Sequence, residues 1–295
     1  MNGSEPRASV APKDIPPRRH APYVSSEPIA HQNNPERKPL PERATTASHS
    51  NLPARKVPRQ RRETDKRIPM KKADDKIPEL APDSIRIIPL GGVEEIGKNM
   101  TAVEFGNDII VLDAGFQFKE DDTPGIDYIL PNTKYLEDRK HKIRAVIITH
   151  GHLDHIGGIP YIMDRIGNPP LYSRALTTIM IKKRQEEFQH LPPLDIKVVE
   201  KEDTIRLGNL KVRFFSVTHT IPDSMGVIIE TPYGCVVNPG DIKLDHENGI
   251  PTEAEQNEYA KFKKEKVLML MMDSTNVDNP GFSTPERIVH KNLEE

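Results

Sequence analysis

Short apolar runs, each bounded by glycine, proline or polar turn residues, recur along the chain from about residue 83 onwards. Runs of this kind predict β-strands. The predicted strands are residues 84–90, 100–105, 108–112, 144–149, 170–173, 196–200, 204–207, 211–217, 226–230, 235–238 and 266–272. Helices are predicted at 159–166, at 175–189 and from 286 to about 295, after a Ser/Thr cap and a proline. Many strands with few helices between them favour a mixed α/β or α+β sandwich.

Residues 1–80 have a different pattern, in which proline, charged and small polar residues alternate without periodicity. They contain 13 of the 28 prolines, 17 Lys/Arg against 10 Asp/Glu, and one aromatic residue, Tyr23. Such a segment cannot bury enough apolar surface to offset the entropy of ordering it, which predicts a disordered basic arm. Its most basic stretch, residues 55–62, is equally compatible with non-specific phosphate binding and with a solubilising tail.

The composition bounds the remaining classes. A length of 295 residues allows one large domain or two small ones. A single cysteine, Cys235, excludes an intrachain disulfide framework and fits a reducing compartment. No apolar run approaches the roughly 18–20 residues of a membrane helix, and the first residues lack the apolar core of a secretory signal. We therefore expect a cytoplasmic protein that does not contact a membrane, with an acidic body of 25 Lys/Arg against 34 Asp/Glu.

Three histidines and an aspartate fall within six residues, directly after the predicted strand 144–149. They are His150, His152, Asp154 and His155. Neutral imidazole nitrogens and carboxylate oxygens are ligands that suit Zn²⁺ or Mn²⁺. A lone histidine more often has a structural role, but coincidence is a poor explanation for four such residues after one buried strand. The cluster predicts a divalent metal site.

Three further residues occupy comparable strand ends: Asp113, His219 and Asp241. Each is a weak candidate alone, since a turn or a helix cap explains an aspartate and an exposed loop explains a histidine. Combined with the cluster they complete a metal shell. His219 can supply a third imidazole, Asp241 can bridge two ions, and Asp113 can accept the free N–H of a ligating histidine.

The motifs that contain these residues resemble those of a known family. The sequence His150-Gly-His152-Leu-Asp154-His155 is similar to the HxHxDH motif of the metallo-β-lactamase superfamily, and Asp113, His219 and Asp241 follow the order of its other metal motifs. Several flanking stretches narrow the resemblance to the ribonuclease J family, which has an inserted β-CASP domain. They are residues 90–100, 113–118, 124–128, 155–161, 218–224, 239–243 and 273–276.

The resemblance implies a metallo-β-lactamase αββα sandwich over residues 81–272 and the start of a β-CASP domain over 273–295. It also implies a two-metal ribonuclease with 5′→3′ exonuclease and endonuclease activity in RNA processing and decay. Its partners would be RNA, further copies of the full-length chain and an RNA-processing or degradation complex. Two divalent ions are implied, Zn²⁺ with Mn²⁺ as the alternative.

The resemblance also assigns the residues of the site. His150, His152 and His219 would hold one ion, Asp154 and His155 the second, and Asp241 would lie between the two. Asp154 and Asp241 are the catalytic candidates, because Asp154 can also orient the attacking water. Asp273 would support a histidine from further along the chain.

The resemblance covers residues 83–295, and a complete protein of this family continues well past that point. The last histidine, His290, matches none of the family's later motifs, so we expect the second ion to lack one ligand. Two other functions stay open at this stage. One is a small-molecule metallohydrolase of the same superfamily, such as a thioesterase or lactonase. The other is a chain that binds metal or RNA without turnover.

Overall fold

The computed structural model of the chain describes residues 77–118 and 125–294. The predicted basic arm, residues 1–80, therefore lies outside the described residues except for its last four. The first strand begins at Ile85, close to the point where the apolar pattern predicts order.

Fifteen strands form in the described residues, and the longer ones coincide with the predicted apolar runs. In chain order they are β1 (Ile85–Gly91), β2 (Met100–Phe105), β3 (Asp108–Leu112), β4 (Gln117–Phe118), β5 (Tyr128–Ile129), β6 (Ile143–Ile147), β7 (Leu171–Ser173), β8 (Ile196–Val198), β9 (Thr204–Leu207), β10 (Leu210–Ser216), β11 (Met225–Thr231), β12 (Gly234–Asn238), β13 (His246–Glu247), β14 (Ile250–Pro251) and β15 (Val267–Leu270).

The same part of the chain contains six α-helices. They are α1 (Lys134–Glu137), α2 (Leu153–Ile156), α3 (Ile159–Ile162), α4 (Ala175–Gln185), α5 (Glu253–Ala260) and α6 (Glu286–Glu294). Short 3₁₀ helices cover Lys140–Lys142, Glu186–Phe188 and Lys261–Lys264. Among the helices of the described ranges, none combines the length and apolarity needed to cross a membrane.

Two predicted helices are too long. The helix predicted over 159–166 ends at Ile162, and the chain then turns through Gly167 and Asn168, both of which have positive φ. Positive φ is incompatible with a right-handed helix, and the Asn168 N–H bonds back to the Met163 carbonyl at 2.7 Å. The helix predicted over 175–189 ends at Gln185 and tightens into a 3₁₀ turn.

The strands form two large sheets. The first has six strands in the order β1-β2-β3-β6-β7-β8, with β3, β6, β7 and β8 parallel to one another. The second has five strands in the order β15-β12-β11-β10-β9, antiparallel except for the β12–β15 pair. Two small hairpins, β4–β5 and β13–β14, lie outside these sheets.

Three clusters of buried apolar residues lie between the sheets and the helices. Between the two sheets lie residues that β2, β3 and β6 and the second sheet contribute, among them Val103, Ile110, Leu112, Ile147, Leu210, Phe214, Val227 and Ile229. The opposite face of the first sheet packs on helices through Val111, Val146, Leu136, Ile159, Ile162 and Ile181. The outer face of the second sheet packs on the α5 region through Phe215, Ile228, Val237, Tyr259 and Phe262. The order of layers is helix, sheet, sheet, helix, as the resemblance to the metallo-β-lactamase superfamily implies.

The central strands β3 and β6 are apolar at almost every position because both of their faces are covered. They run parallel, so their carboxyl ends meet at one edge of the first sheet. Asp113 follows β3 at this edge, and His150 follows β6 two residues after Ile148. The fold therefore brings together two segments that are more than thirty residues apart in the sequence.

Candidate metal centre

Four loops at one edge of the sandwich supply the predicted site residues. Asp113 follows β3, residues 148–152 connect β6 to α2, and α2 itself carries Asp154 and His155. His219 lies in the loop between β10 and β11, and Asp241 follows β12. The backbone ties these loops together, because Asp113 N–H donates to the Ile147 carbonyl at 2.9 Å and Met225 N–H donates to the Thr149 carbonyl at 3.0 Å.

The three imidazoles His150, His152 and His219 converge with Asp241. The Nε2 of His150 lies 3.0 Å from Nδ1 of His152, which in turn lies 3.2 Å from Nε2 of His219. One carboxylate oxygen of Asp241, Oδ2, lies 3.7 Å from the His219 nitrogen and 3.9 Å from that of His150. This first donor group offers three nitrogens and one oxygen around a common point.

A second donor group consists of Asp154, His155 and Asp241. The Nε2 of His155 lies 3.4 Å from an Asp154 oxygen and 3.3 Å from Oδ1 of Asp241. The two oxygens of Asp241 therefore face different groups: Oδ2 faces the three imidazoles and Oδ1 faces His155. A carboxylate in this position can bridge two cations.

Asp113 holds the orientation of the buried His155 ring. Its Oδ2 accepts the Nδ1 hydrogen of His155 at 2.9 Å, and its Oδ1 accepts the Thr149 N–H at 2.8 Å. The Thr149 hydroxyl lies within hydrogen-bond distance of both carboxylate oxygens and of Nδ1 of His150. Because Asp113 engages Nδ1, the free lone pair of neutral His155 is on Nε2, the nitrogen that faces Asp154 and Asp241.

Burial keeps two imidazoles of the first group, those of His150 and His219, neutral. Burial and the neighbouring imidazoles lower the pKa of His150 to about 2, and burial also lowers the pKa of His219. Both rings therefore present nitrogen lone pairs at neutral pH, as a metal ligand must.

The second group attracts positive charge. Burial alone favours the neutral ring of His155, but Asp113 and then Asp154 and Asp241 raise its pKa well above the ordinary histidine value. Burial opposes ionisation of Asp154 and Asp241 as well, yet their contact with His155 lowers the pKa of both carboxyls. The protonated His155 ring is thus stabilised by three carboxylates, and a metal ion at its Nε2 would face two of them, those of Asp154 and Asp241.

The donor sets fit divalent metal ions. Ligand atoms at about 2.0–2.1 Å around a tetrahedral Zn²⁺ are roughly 3.3–3.4 Å apart, close to the nitrogen–nitrogen distances of the first group. Neutral imidazole and ionised carboxylate are also the donors that Zn²⁺ and Mn²⁺ accept. The second group offers three protein atoms, so its set is less complete than the first.

Two residues that the sequence interpretation leaves out belong to the site. The Asn99 side-chain nitrogen lies 3.1 Å from an Asp154 oxygen and 3.0 Å from Nε2 of His155. The Thr149 hydroxyl connects Asp113 with the imidazoles, as described above. A single amide in a glycine-rich loop and a threonine at the end of a strand are too common for sequence alone to single them out.

Asp273 lies beside the donor groups without joining them. Its carboxylate accepts the backbone N–H of Ile242 at 3.4 Å and that of Thr275 at 2.8 Å. It thus supports the loop that carries Asp241, and its negative charge acts on His219. Its role toward a histidine from further along the chain stays a prediction.

Close packing at a glycine fixes the approach of the loops. A Cβ atom on Gly115 would lie 1.5 Å from the Asp154 carbonyl oxygen, far inside any allowed contact. The segment after β3 can therefore lie directly against the Asp154–His155 peptide only because residue 115 is glycine. The hydrogen bond from Ala114 N–H to the His155 carbonyl, 2.9 Å, completes this contact.

The loop that carries His219 is fastened to the start of helix α4. One Asp223 oxygen pairs with the Arg174 guanidinium at 2.8 Å, and the other accepts the Leu176 N–H at 3.0 Å. Since Arg174 and Leu176 lie at the start of α4, these contacts tie the His219 loop to that helix.

An αββα sandwich with two adjoining His/Asp donor groups at one sheet edge defines a class of metal-site proteins. Residues 94–271 match the family described as the Metallo-beta-lactamase superfamily, and the chain belongs to that superfamily. A crystal structure of a protein of unknown function from Enterococcus faecalis V583 has a similar fold. Its TM-score is 0.52 at 20% identity, over 70% of this chain and 57% of that one.

The sequence relatives are more specific. The chain is 39% identical over 221 residues to Ribonuclease J of Thermus thermophilus, a match that covers 72% of this chain and 38% of the relative. It is 36% identical over 214 residues to Ribonuclease J 1 of Streptococcus pyogenes serotype M3, with the same coverage. The resemblance predicted from the motifs is confirmed, and the match spans less than two fifths of the length of these relatives.

Proposed function

We propose that this chain carries the catalytic metal centre of a metal-dependent ribonuclease that hydrolyses RNA phosphodiester bonds. The observation that carries the proposal is the position of Asp241, whose two oxygens face two separate donor groups. The similarity to proteins named Ribonuclease J supports RNA as the substrate.

The distances between donor atoms divide the residues between two cations. His150, His152 and His219 would hold one cation, Asp154 and His155 the other, and Asp241 both. Divalent ions held in this way supply positive charge that offsets developing charge on a phosphodiester and lower the pKa of an attacking water. We propose Zn²⁺, with Mn²⁺ as the alternative.

The protein's own groups orient the reaction. Asp113 and Thr149 fix the His155 ring, so that its Nε2 faces the second group. The side chain of Asp154 is 30% exposed and its pKa is low, so an ionised oxygen is available at the solvent side of the centre. We assign Asp154 the role of orienting the attacking water and accepting a hydrogen bond from it.

The cleavage activities, cellular location, domain bounds and assembly are inferred from the relatives and from the sequence. We propose 5′→3′ exonuclease and endonuclease activity in RNA processing and decay, in the cytoplasm. Residues 81–272 would form the metallo-β-lactamase core and 273–295 the start of a β-CASP domain. Assembly with further copies and with an RNA-processing or degradation complex would belong to a chain of the relatives' length, of which the match spans less than two fifths.

The substitution His152→Ala tests the proposal, because it removes the nitrogen that contacts both other imidazoles. We expect bound metal to fall from two ions per chain to one or none, and turnover of a 5′-phosphorylated RNA to fall about 100-fold or more. Metal analysis and RNA hydrolysis by the same preparation are the measurements.

His141→Ala is the matched control, since the exposed His141 lies in the 3₁₀ turn that precedes β6, whereas the donor groups follow the other end of that strand. A thioester substrate assayed in parallel separates a nuclease from a small-molecule hydrolase. Undiminished RNA turnover in His152→Ala, with loss of metal verified, would contradict the proposal.

A further inference from the structure

Four aromatic rings form a continuous contact series beside the metal centre. The ring of Phe118 meets that of Phe116 edge-on at 4.8 Å, Phe116 lies 5.6 Å from Tyr128, and Tyr128 stacks on Tyr161 at 4.6 Å. We call these four residues the aromatic ladder. The chain has only eight Phe and seven Tyr and no Trp, so more than a quarter of its aromatic residues meet here.

Phe116, the second ring of the aromatic ladder, adjoins the donor groups. The Phe116 N–H donates to the carbonyl of Leu153, a residue between His152 and Asp154. A Cβ atom on Gly157 would lie 2.2 Å from the Phe116 ring, so this ring packs tightly under helix α2. Phe116 is 4% exposed and serves as a buried support.

The Phe118 end of the aromatic ladder is open to solvent. Phe118 is 60% exposed, although burial would stabilise a phenyl ring of this size. Phe116, Tyr128 and Tyr161 already pack against one another, so the local core does not need Phe118. The ring is nonetheless held in place, because it stands at the end of the short β4–β5 hairpin and against the Phe116 ring.

Other exposed apolar side chains lie on the segments that adjoin Phe116 and Gln117. Leu153 is 37% exposed and adjoins two candidate ligands in the sequence, and Ile96 is 72% exposed in the loop whose Gly97 packs on Gln117. At roughly 3.3–3.6 Å per residue, Phe118 is at most about 18 Å along the chain from Asp113. The ring therefore lies within the span of a short single strand whose phosphodiester is at the donor groups.

We propose that Phe118 is a stacking platform for a base of single-stranded RNA whose phosphodiester lies at the metal centre. This inference rests on the proposed ribonuclease function. Aromatic side chains bind single strands by stacking on base faces, which a duplex keeps covered. An Arg184 guanidinium 5.4 Å from the Phe116 ring centre adds positive charge behind the ladder, in keeping with a polyanionic occupant.

Binding measurements on the full chain test the proposal. Fluorescence anisotropy in EDTA, where hydrolysis cannot interfere, gives dissociation constants for a labelled oligoadenylate and for an oligomer of equal length with abasic sites. We expect Phe118→Ala to weaken oligoadenylate binding about 5- to 150-fold and to leave binding of the abasic oligomer unchanged. Phe118→Trp should restore the preference for the oligomer that has bases.

Two further variants define what the ring does. Phe118→Leu keeps apolar bulk without a flat ring and should behave like Phe118→Ala if stacking is the interaction. Ile179→Ala, at another residue that is 63% exposed, is the matched control and should change neither constant. Circular dichroism and metal content should match the unsubstituted protein in all variants, because Phe118 contacts none of the donor groups.

The outcomes separate this proposal from the proposed function. Equal affinity of the unsubstituted protein for both oligomers, or unchanged oligoadenylate binding by Phe118→Ala, overturns the stacking role whatever the activity. Equal weakening for an RNA duplex also overturns it, because a duplex offers no free base face. Failure of the metal-loaded protein to cleave RNA overturns the ribonuclease function and is measured separately.

Discussion

At the scale of single residues, Asp113 has a strained backbone conformation that positions its carboxylate in the site. Its φ is +60°, a left-handed conformation that costs a non-glycine residue of order 1 kcal/mol. The conformation aims the carboxylate back at the end of β6, where it accepts hydrogen bonds from Thr149 and His155. Those bonds hold Asp113 in place, and the strained residue is the one that orients a candidate ligand.

Asn99→Ala is expected to weaken the binding of the cation at the second donor group and to leave binding at the first group unchanged. The Asn99 amide contacts Asp154 and His155, which belong to the second donor group. In the described part of the chain it makes no hydrogen bond with His152 or His219 of the first donor group. Loss of a group that positions ligands commonly lowers metal affinity about 10- to 100-fold. Titration of metal-depleted protein against a competing chelator should therefore show one weakened and one unchanged binding step.

Asn107→Ala is the control for this measurement, because Asn107 lies in the exposed turn between β2 and β3. If Asn99→Ala left both binding steps unchanged, the amide would have no part in positioning the second group.

The residue scale also shows what sequence can predict. Histidine and aspartate at 150–155 are informative because their chemistry is rare after a buried strand. Asn99 and Thr149 carry no such signal, since their role arises only when the loop after β1 folds over the end of β6. Which oxygen of Asp241 faces which group likewise depends on three-dimensional positions that no spacing rule contains.

At the scale of elements, the strands are well predicted and the peripheral helices less so. Apolar runs such as β3 and β6 are buried on both faces, so composition alone identifies them. Helix α5 is absent from the prediction because its sequence, EAEQNEYA, has no apolar periodicity. It forms because the Thr252 side chain caps its first turn and because Tyr259 packs against the second sheet.

A buried carboxylate joins elements of both sheets. Asp108, at the start of β3, accepts hydrogen bonds from the backbone and side-chain nitrogens of Asn209 at 2.7 and 2.9 Å, and pairs with Arg144. Burial alone would raise the pKa of Asp108, but these donors outweigh it and hold the pKa below the ordinary aspartate value. The contact connects the first sheet to the β9–β10 turn of the second.

Asp108→Asn should lower the free energy of unfolding at pH 7 by about 1–3 kcal/mol, because an amide cannot accept all of these hydrogen bonds. A depressed pKa stabilises the fold above the unfolded-state pKa, about 3.9, and this contribution is lost as the pH falls through the lower folded-state pKa. The difference between the two proteins should therefore shrink below about pH 4. Urea unfolding at several pH values measures it.

Asp138→Asn is the matched control, since Asp138 is an exposed carboxylate paired with Lys134 on α1. Its substitution should change the free energy of unfolding by less than about 1 kcal/mol at every pH tested. A difference for Asp108→Asn that stayed constant down to pH 3 would show that the carboxylate charge has no part in joining the sheets.

At the scale of the whole molecule, charge is divided between two parts of the chain. Residues 1–80 carry 17 Lys/Arg against 10 Asp/Glu, and residues 81–295 carry 25 against 34. An acidic body repels a polyanion at long range, although bound divalent cations offset this at the metal centre itself. The basic arm is the part of the sequence whose net charge attracts RNA.

Neutralising the basic stretch is therefore expected to reduce the salt dependence of RNA binding. The variant replaces with glutamine the five cations Arg55, Lys56, Arg59, Arg61 and Arg62 in the full chain. For single-stranded nucleic acid, the slope of log K against log salt concentration falls by about 0.7 for each phosphate contact that is lost. Binding titrations between about 50 and 200 mM salt measure this slope.

The control variant replaces five dispersed cations of the same arm, Arg7, Lys13, Arg18, Arg19 and Arg37. A larger loss for the clustered substitutions indicates that residues 55–62 contact phosphates directly, whereas equal losses indicate attraction by net charge alone. An unchanged slope in both variants would mean that the arm serves solubility and that RNA reaches the acidic body through the metal centre and the groups around it.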